Sequence, residues 1–247
     1  MIRSFTALAA ASLLALSAGA ASAAPVKNIV LVHGAFADGS GWRAIADILR
    51  KDGYKVSIVQ PPETSLEDDI AATTRVLDAL DGPAVLVGHS YGGMIITGAG
   101  NNANVKNLVY VAAFQPDAGE SLGSLGDSMP PAAKSIVPSK DGFLTLDRAQ
   151  FHADFAADLP AAEAAFMADS QVPLSVKSAS TPMTNPAWKT KPSFGIVATE
   201  DRAINPDLER KMYKRSGAKT IELKASHVVY ISQPKAVAAV IEDAAKQ

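Results

Sequence analysis

The segment Gly88-His89-Ser90-Tyr91-Gly92 follows the apolar run Val85-Leu86-Val87 without a gap and leads straight into the helical stretch Met94 to Ala99. The G-x-S-x-G spacing has a mechanical reason. A strand that reverses into a helix within a few residues holds the central serine in a strained backbone, so the residues two places away must lack side chains. The hydroxyl then points out of the sheet, and the helix N-terminus lies where negative charge would develop on a carbonyl oxygen under attack. Gly93 eases packing of the helix that follows. Ser90 is therefore the candidate nucleophile.

The same strand-then-helix unit recurs along the chain. Ile29-Val30-Leu31-Val32 reads as a strand buried on both faces of a parallel sheet. Trp42, Ile45, Ile48 and Leu49 follow at helical spacing, with Gly53 as a stop and Trp42 expected to pack the helix rather than line a pocket. Val56 to Val59 is a second strand ended by Pro61-Pro62, and Ser65 with Asp68 caps a helix carrying Ile70, Val76, Leu77 and Leu80. Val105 to Ala113 forms a fourth strand after the elbow helix. From about Gln115 to Lys191 the pattern breaks into a Pro-, Gly-, Ser- and Ala-rich stretch with one helical patch, Leu146 to Met167. It resumes with strand Phe194–Ala198, helix Pro206–Arg215 (Asn205 as cap), strand Thr220–Leu223 and helix Pro234–Ala245. Such alternation predicts an α/β fold: a doubly wound, mostly parallel sheet with an inserted, partly helical lid at about 115–191.

Composition narrows the chemistry. With 48% hydrophobic and 19% charged residues, the 247-residue chain has material for a substantial core and is neither disordered, collagenous nor a coiled coil. The absence of cysteine excludes disulfides, zinc–thiolate sites, iron–sulfur clusters and cysteine nucleophiles together. A net charge of −2 without a basic run argues against a nucleic-acid surface. Residues 1–24 differ from the rest: Arg3 is the only charge, an Ala/Leu run follows, and Ala21-Ser22-Ala23 forms an A-x-A cleavage pattern. A membrane span needs about 20 strongly apolar residues, and this stretch is shorter and Ala-rich. The expectation is a secretory signal peptide, 1–23, cleaved after Ala23. What remains is a single domain, 24–247, secreted or periplasmic, without a stable membrane anchor.

Two motif look-alikes fail on context. Gly119-Glu120-Ser121-Leu122-Gly123 matches the nucleophile pattern, but Gln115 to Ala118 separate it from the strand, and Gly126 and Pro130 are expected to prevent a helix after it. Gly39-Ser40-Gly41-Trp42-Arg43-Ala44 imitates a dinucleotide fingerprint, yet it lies beyond the strand end near His33, and no acidic residue closes the second strand.

Chain order selects the base. On this fold the order is Ser, then Asp or Glu, then His, so His33 and His89 come too early. His89 is expected beside the pocket or behind it, and His152 falls in the lid. His227, in a loop between the last strand and helix, remains. The acid should close a strand between the two. Asp201 after Gly195 to Thr199 fits, with Glu200 pointing elsewhere and Asp117 as a geometric alternative. The carboxylate would hold the imidazole tautomer and stabilise the imidazolium. Two backbone N–H groups should face the oxyanion: that of Tyr91, and one from His33-Gly34-Ala35-Phe36, where Ala35 is the best donor.

Taken together, Leu31-Val32-His33-Gly34-Ala35 with Gly41-Trp42, Gly88-His89-Ser90-Tyr91-Gly92-Gly93, Ala198-Thr199-Glu200-Asp201 and His227 resemble the α/β-hydrolase superfamily. Within it, the chain looks like the branch that contains small bacterial esterases, plant methylesterases and hydroxynitrile lyases. The resemblance spans nearly all of residues 26–247 and implies Ser90, Asp201 and His227 as catalytic triad with the Ala35 and Tyr91 amides as oxyanion hole. Hydroxynitrile lyases of this branch carry Thr where Gly34 stands and Lys where Val228 stands, so hydrolysis is favoured. Ser90 also departs from the aspartate nucleophile of the dehalogenases and epoxide hydrolases.

The resemblance implies a serine hydrolase for small-molecule carboxylic esters, lactones included, with no cofactor or metal. Phe36, Phe114, Phe151 and Trp188, with Tyr91, are candidate apolar pocket walls. Two other activities fit the same residues: a cofactor-free perhydrolase or haloperoxidase, and a non-catalytic ligand-binding protein on a hydrolase scaffold.

Overall fold

A computed structural model describes residues 1–2 and 26–247. The expected signal peptide and its cleavage at Ala23 lie outside the described residues, Met1 and Ile2 apart.

Six parallel strands form the central sheet: β1 (Asn28–Val32), β2 (Lys55–Val59), β3 (Ala84–Ser90), β4 (Val105–Ala113), β8 (Ser193–Ala198) and β9 (Lys219–Leu223), ordered β2-β1-β3-β4-β8-β9. Each crossover carries a helix, as parallel pairing demands. The first three are α1 (Arg43–Lys51), α2 (Leu66–Asp78) and α3 (Gly92–Ala99). After the lid come α8 (Pro206–Ser216), a short α9 (Val229–Ser232) and α10 (Pro234–Ala245). α1 packs with α10, and α2 with α3. β1, β3 and β8 are buried at every residue, whereas the edge strands β2 and β9 keep exposed positions. That explains why the inner strands read as unbroken apolar runs. Ser65 caps α2 by accepting from the Asp68 amide, and Asn205 caps α8 ahead of Pro206 at its first turn. Among the described residues no helix is long and apolar enough to cross a membrane.

Between β4 and β8 the chain leaves the sheet. This excursion holds α4 (Leu122–Ser128), a three-stranded antiparallel sheet of β5 (Ile136–Pro138), β6 (Phe143–Leu146) and β7 (Leu174–Ser175), and helices α5 (Arg148–Phe155), α6 (Ala161–Asp169) and α7 (Val176–Ser180). The antiparallel sheet was not foreseen, because its strands are two to four residues long. Nor is Leu146 to Met167 one helix. Leu146 ends β6, Asp147 caps α5 through its side chain, and Pro160 separates α5 from α6. Proline restricts the residue before it and begins helices more readily than it continues them.

A second correction concerns Ser121. A helix does follow it: α4 starts with a capping box in which the Ser121 and Ser124 side chains each accept from the other's backbone N–H. Gly126 does not stop this helix; it faces open space. Ser121 thus spends its hydroxyl on capping. Ser121→Ala should lower stability by about 1 kcal/mol, read as a shift of the urea unfolding midpoint at unchanged slope.

Candidate active site

β3 ends at the turn that the sequence singled out. Ser90 has φ = 54°, in the left-handed region that only a tightly constrained turn imposes on a residue with a side chain. A Cβ at Gly88 would lie 2.5 Å from the Gly92 carbonyl oxygen, so the two flanking glycines touch backbone to backbone. Next door, β4 skips register at Ala112 (φ = 43°), and the Phe114 amide donates to the Ser90 carbonyl at 3.2 Å. This bulge bends the neighbouring strand around the elbow.

The loop after β1 closes over the same spot. A Cβ on Gly34 would come within 2.6 Å of both the His89 carbonyl oxygen and Ser90 Cβ, and 3.0 Å of the Tyr91 nitrogen. Only a bare backbone allows that approach. It brings Ala35 and Tyr91 together with Ser90 in the wall of one cavity of about 400 Å³.

Asp201 and His227 complete the group. Asp201 stands just beyond β8. Its Oδ1 accepts from the Ala203 and Ile204 amides at 2.7 and 2.9 Å, and its Oδ2 meets His227 Nδ1 at 2.5 Å. With both amides on the other oxygen, the carboxylate is oriented before it meets the imidazole. His227 is fully buried and lines the cavity with Ser90; its Nε2 has no hydrogen-bond partner among the described residues. Glu200 turns outward toward Lys224, and Asp117 pairs with Lys189 at 2.6 Å.

Three neighbours hold His227: His89, which the sequence placed beside or behind the pocket, and Asp158 and Phe155, which the sequence left unassigned. His89 Nε2 meets the His227 carbonyl oxygen at 3.0 Å and its ring lies 4.6 Å away, centroid to centroid. Complete burial keeps His89 neutral, its pKa well below the ordinary imidazole value, and the nearby His227 adds to that effect. Asp158 from the lid accepts from both the amide and hydroxyl of Ser226. Phe155 packs its ring 4.8 Å from the His227 imidazole. His152, in the lid, is engaged with the Leu159 carbonyl oxygen beyond the end of α5.

Of the expected pocket walls, Phe36, Tyr91 and Phe114 line the cavity. Phe151 and Trp188 do not. Phe151 lies one helical turn before Phe155, with rings 4.9 Å apart, and Phe155 is the one that reaches the cavity. Trp188 donates its indole N–H to the Pro116 carbonyl oxygen, and Lys189 and Arg215 sit over its ring. The walls missed were aliphatic lid residues such as Leu122, Met129, Leu144 and Leu174. Their only sequence signal was membership of the irregular stretch.

Beneath the β1 loop lies a second buried polar cluster. The Tyr91 hydroxyl donates to Asp69 Oδ2 at 2.6 Å, and the Glu63 amide donates to Asp69 Oδ1 at 2.7 Å. The Glu63 carboxyl is fully buried 3.5 Å from His33 Nδ1, while His33 Nε2 meets Gln60. Burial first, and then Asp69, push the Glu63 pKa well above the usual glutamate value; burial lowers that of His33. The Glu63–His33 contact is accordingly a neutral one. Neither Glu63 carboxyl oxygen has a hydrogen-bond partner among the described residues, and His33 Nδ1 is engaged with the Gly34 carbonyl oxygen at 3.0 Å; Tyr91 is tied to the Glu63 backbone through Asp69.

The profile of the alpha/beta hydrolase family matches residues 29–240, and the chain belongs to that family. It is similar to a carbendazim-hydrolyzing esterase of a Nocardioides species, with 37% identity over 114 residues, 40% of this chain and 46% of that protein. It is also similar to a pyrethroid hydrolase of Sphingobium wenxiniae, with 28% identity over 88% of this chain and 87% of that one. Among solved structures, a pyrethroid hydrolase from Sphingobium faniae superposes with a TM-score of 0.75 at 23% identity, covering 89% of this chain and 97% of its own.

The buried Glu63 proton makes a stability prediction. A carboxyl whose folded pKa is raised favours the fold at low pH and loses that contribution as pH rises through the folded value. Glu63→Gln, which is neutral at every pH, should therefore gain stability relative to the wild type as pH climbs above the ordinary glutamate range. Urea unfolding of both proteins between pH 4 and 8 would show the difference growing with pH; a constant difference would contradict it.

Proposed function

We propose that this protein is a carboxylic ester hydrolase that works through an acyl-enzyme on Ser90. The observation that carries the proposal is the shared cavity: a serine held at φ = 54° and an imidazole already bound to a buried carboxylate face one space. His227 Nε2 accepts the Ser90 proton as Oγ attacks the acyl carbon, and Asp201 stabilises the imidazolium that results. The amides of Ala35 and Tyr91 take the tetrahedral oxyanion, aided by the N-terminus of α3. His227 then returns the proton to the leaving alcohol. Water, deprotonated by the same imidazole, releases the acid.

The first of these steps needs Ser90 Oγ to turn toward His227 Nε2, which has no hydrogen-bond partner among the described residues. His89 and His33 are kept neutral by burial, so neither places a competing charge beside the imidazolium. The apolar lid residues around Ser90 exclude water and strengthen each electrostatic contact inside. The substrates are small-molecule esters or lactones with an apolar body; the esterase named among the relatives supports ester cleavage. The A-x-A pattern at Ala21 to Ala23 supports export, to the periplasm or the medium.

A fluorophosphonate probe should label wild-type protein at Ser90 and leave Ser90→Ala unlabelled. Short-chain p-nitrophenyl esters should be turned over by the wild type, with kcat falling by ~10⁴ in Asp201→Asn, as expected when the imidazole loses its tautomer control. Absence of both label and turnover in the wild type would refute the assignment.

A further inference from the structure

The Asp201 carboxylate has a second neighbour besides His227. Glu209, in the first turns of α8, is fully buried. Its Oε2 accepts from the Ala198 amide at 3.3 Å, at the very end of the strand that carries Asp201. No N–H or hydroxyl reaches its Oε1 among the described residues; the group it meets is the Asp201 carboxyl itself. Two ionised carboxylates cannot share a dry site without a proton between them. Asp201 already accepts two amides and the His227 Nδ1–H, so its oxygens are committed as acceptors. The proton therefore resides on Glu209.

From this geometry we infer that Glu209 is a neutral carboxylic acid that donates a hydrogen bond to Asp201, a positioning residue that extends the Ser90–His227–Asp201 line by one member. Burial, and then the charge of Asp201, hold the Glu209 carboxyl protonated well above the usual glutamate range. The other groups around it do not supply the proton. Arg210, on the same helix, turns outward to Glu222 and Asp207. Tyr213, one turn on, is engaged with the Ala113 backbone and stacks near Tyr110 of β4. Arg202, next to Asp201, reaches Asp154 of the lid.

The consequence is a weaker base at the far end of the line. A carboxylate that accepts a hydrogen bond from a neutral acid shares less of its charge with the imidazole, so removing that donor should strengthen the hold of Asp201 on the protonated ring. The inference rests on the assignment of Asp201 and His227 proposed above, and its test does not require turnover.

The imidazole of His227 would be titrated by NMR in the full chain, its signals identified by their loss in His227→Gln. Glu209→Leu, which removes the donor, should raise the His227 pKa by at least ~0.5 unit. Glu209→Gln, which keeps an N–H donor at the same place, should restore most of the wild-type value. A fall in Glu209→Leu would mean that Glu209 is ionised in the wild type, and an unchanged value would mean that it only fills space; either result overturns the inference. So would an equal rise in Glu209→Gln. Should Glu209→Leu fail to fold, Glu209→Ala serves the same comparison. Where esters are turned over, the acidic limb of kcat/KM should move with the NMR value. An inactive wild type would count against the hydrolase proposal alone.

Discussion

Everything around the cavity depends on a backbone packed more tightly than side chains allow. The β3–α3 turn carries Ser90 in a left-handed conformation, with Gly88 against Gly92 and Gly34 against His89 and Ser90. A Cβ at any of these glycines would press on backbone atoms rather than on movable side-chain ends. The strain at Ser90, of order 1–3 kcal/mol, is therefore held from several sides at once. β4 contributes its bulge at Ala112, and the Phe114 amide fastens the Ser90 carbonyl. A rigid turn of this kind is how a sheet can aim one hydroxyl at a fixed point in space.

Burial decides where charge resides. His33, His89, Glu63 and Glu209 are all removed from water, and for each the neutral form is favoured. Asp201 differs because three donors converge on it. The result is one well-supported negative charge beside one imidazole, in a shell of neutral polar groups. The lid takes part as well, since Asp158 and Phe155 brace the turn that carries His227. The insertion thus shapes the cavity and also helps position His227.

How much of this could be read from the chain varies from element to element. Ser90 was legible because the elbow needs glycines at fixed positions, and His227 because it is the one histidine that follows Ser90 outside the lid. Asp201 was legible as the acid closing a strand. The inner strands were legible because burial on both faces leaves unbroken apolar runs. Phe151 against Phe155 was not, since two aromatics one turn apart share a helix face and only packing decides which reaches the cavity. Ser121 misled for a related reason: reading Gly126 and Pro130 as breakers overlooked a capping box that starts a seven-residue helix.

Local chemistry, repeated along the chain, determined the α/β architecture and singled out Ser90, Asp201 and His227 as candidates, because each is tied to a short segment with its own backbone requirement. Tertiary structure alone decided the surroundings. Glu63 and His33 are thirty residues apart, His89 and His227 are separated by most of the chain, and Glu209 is on a helix with no motif of its own. Their roles follow from exclusion of water and from hydrogen bonds between distant segments. Those are properties of the packed molecule, and no window of sequence contains them.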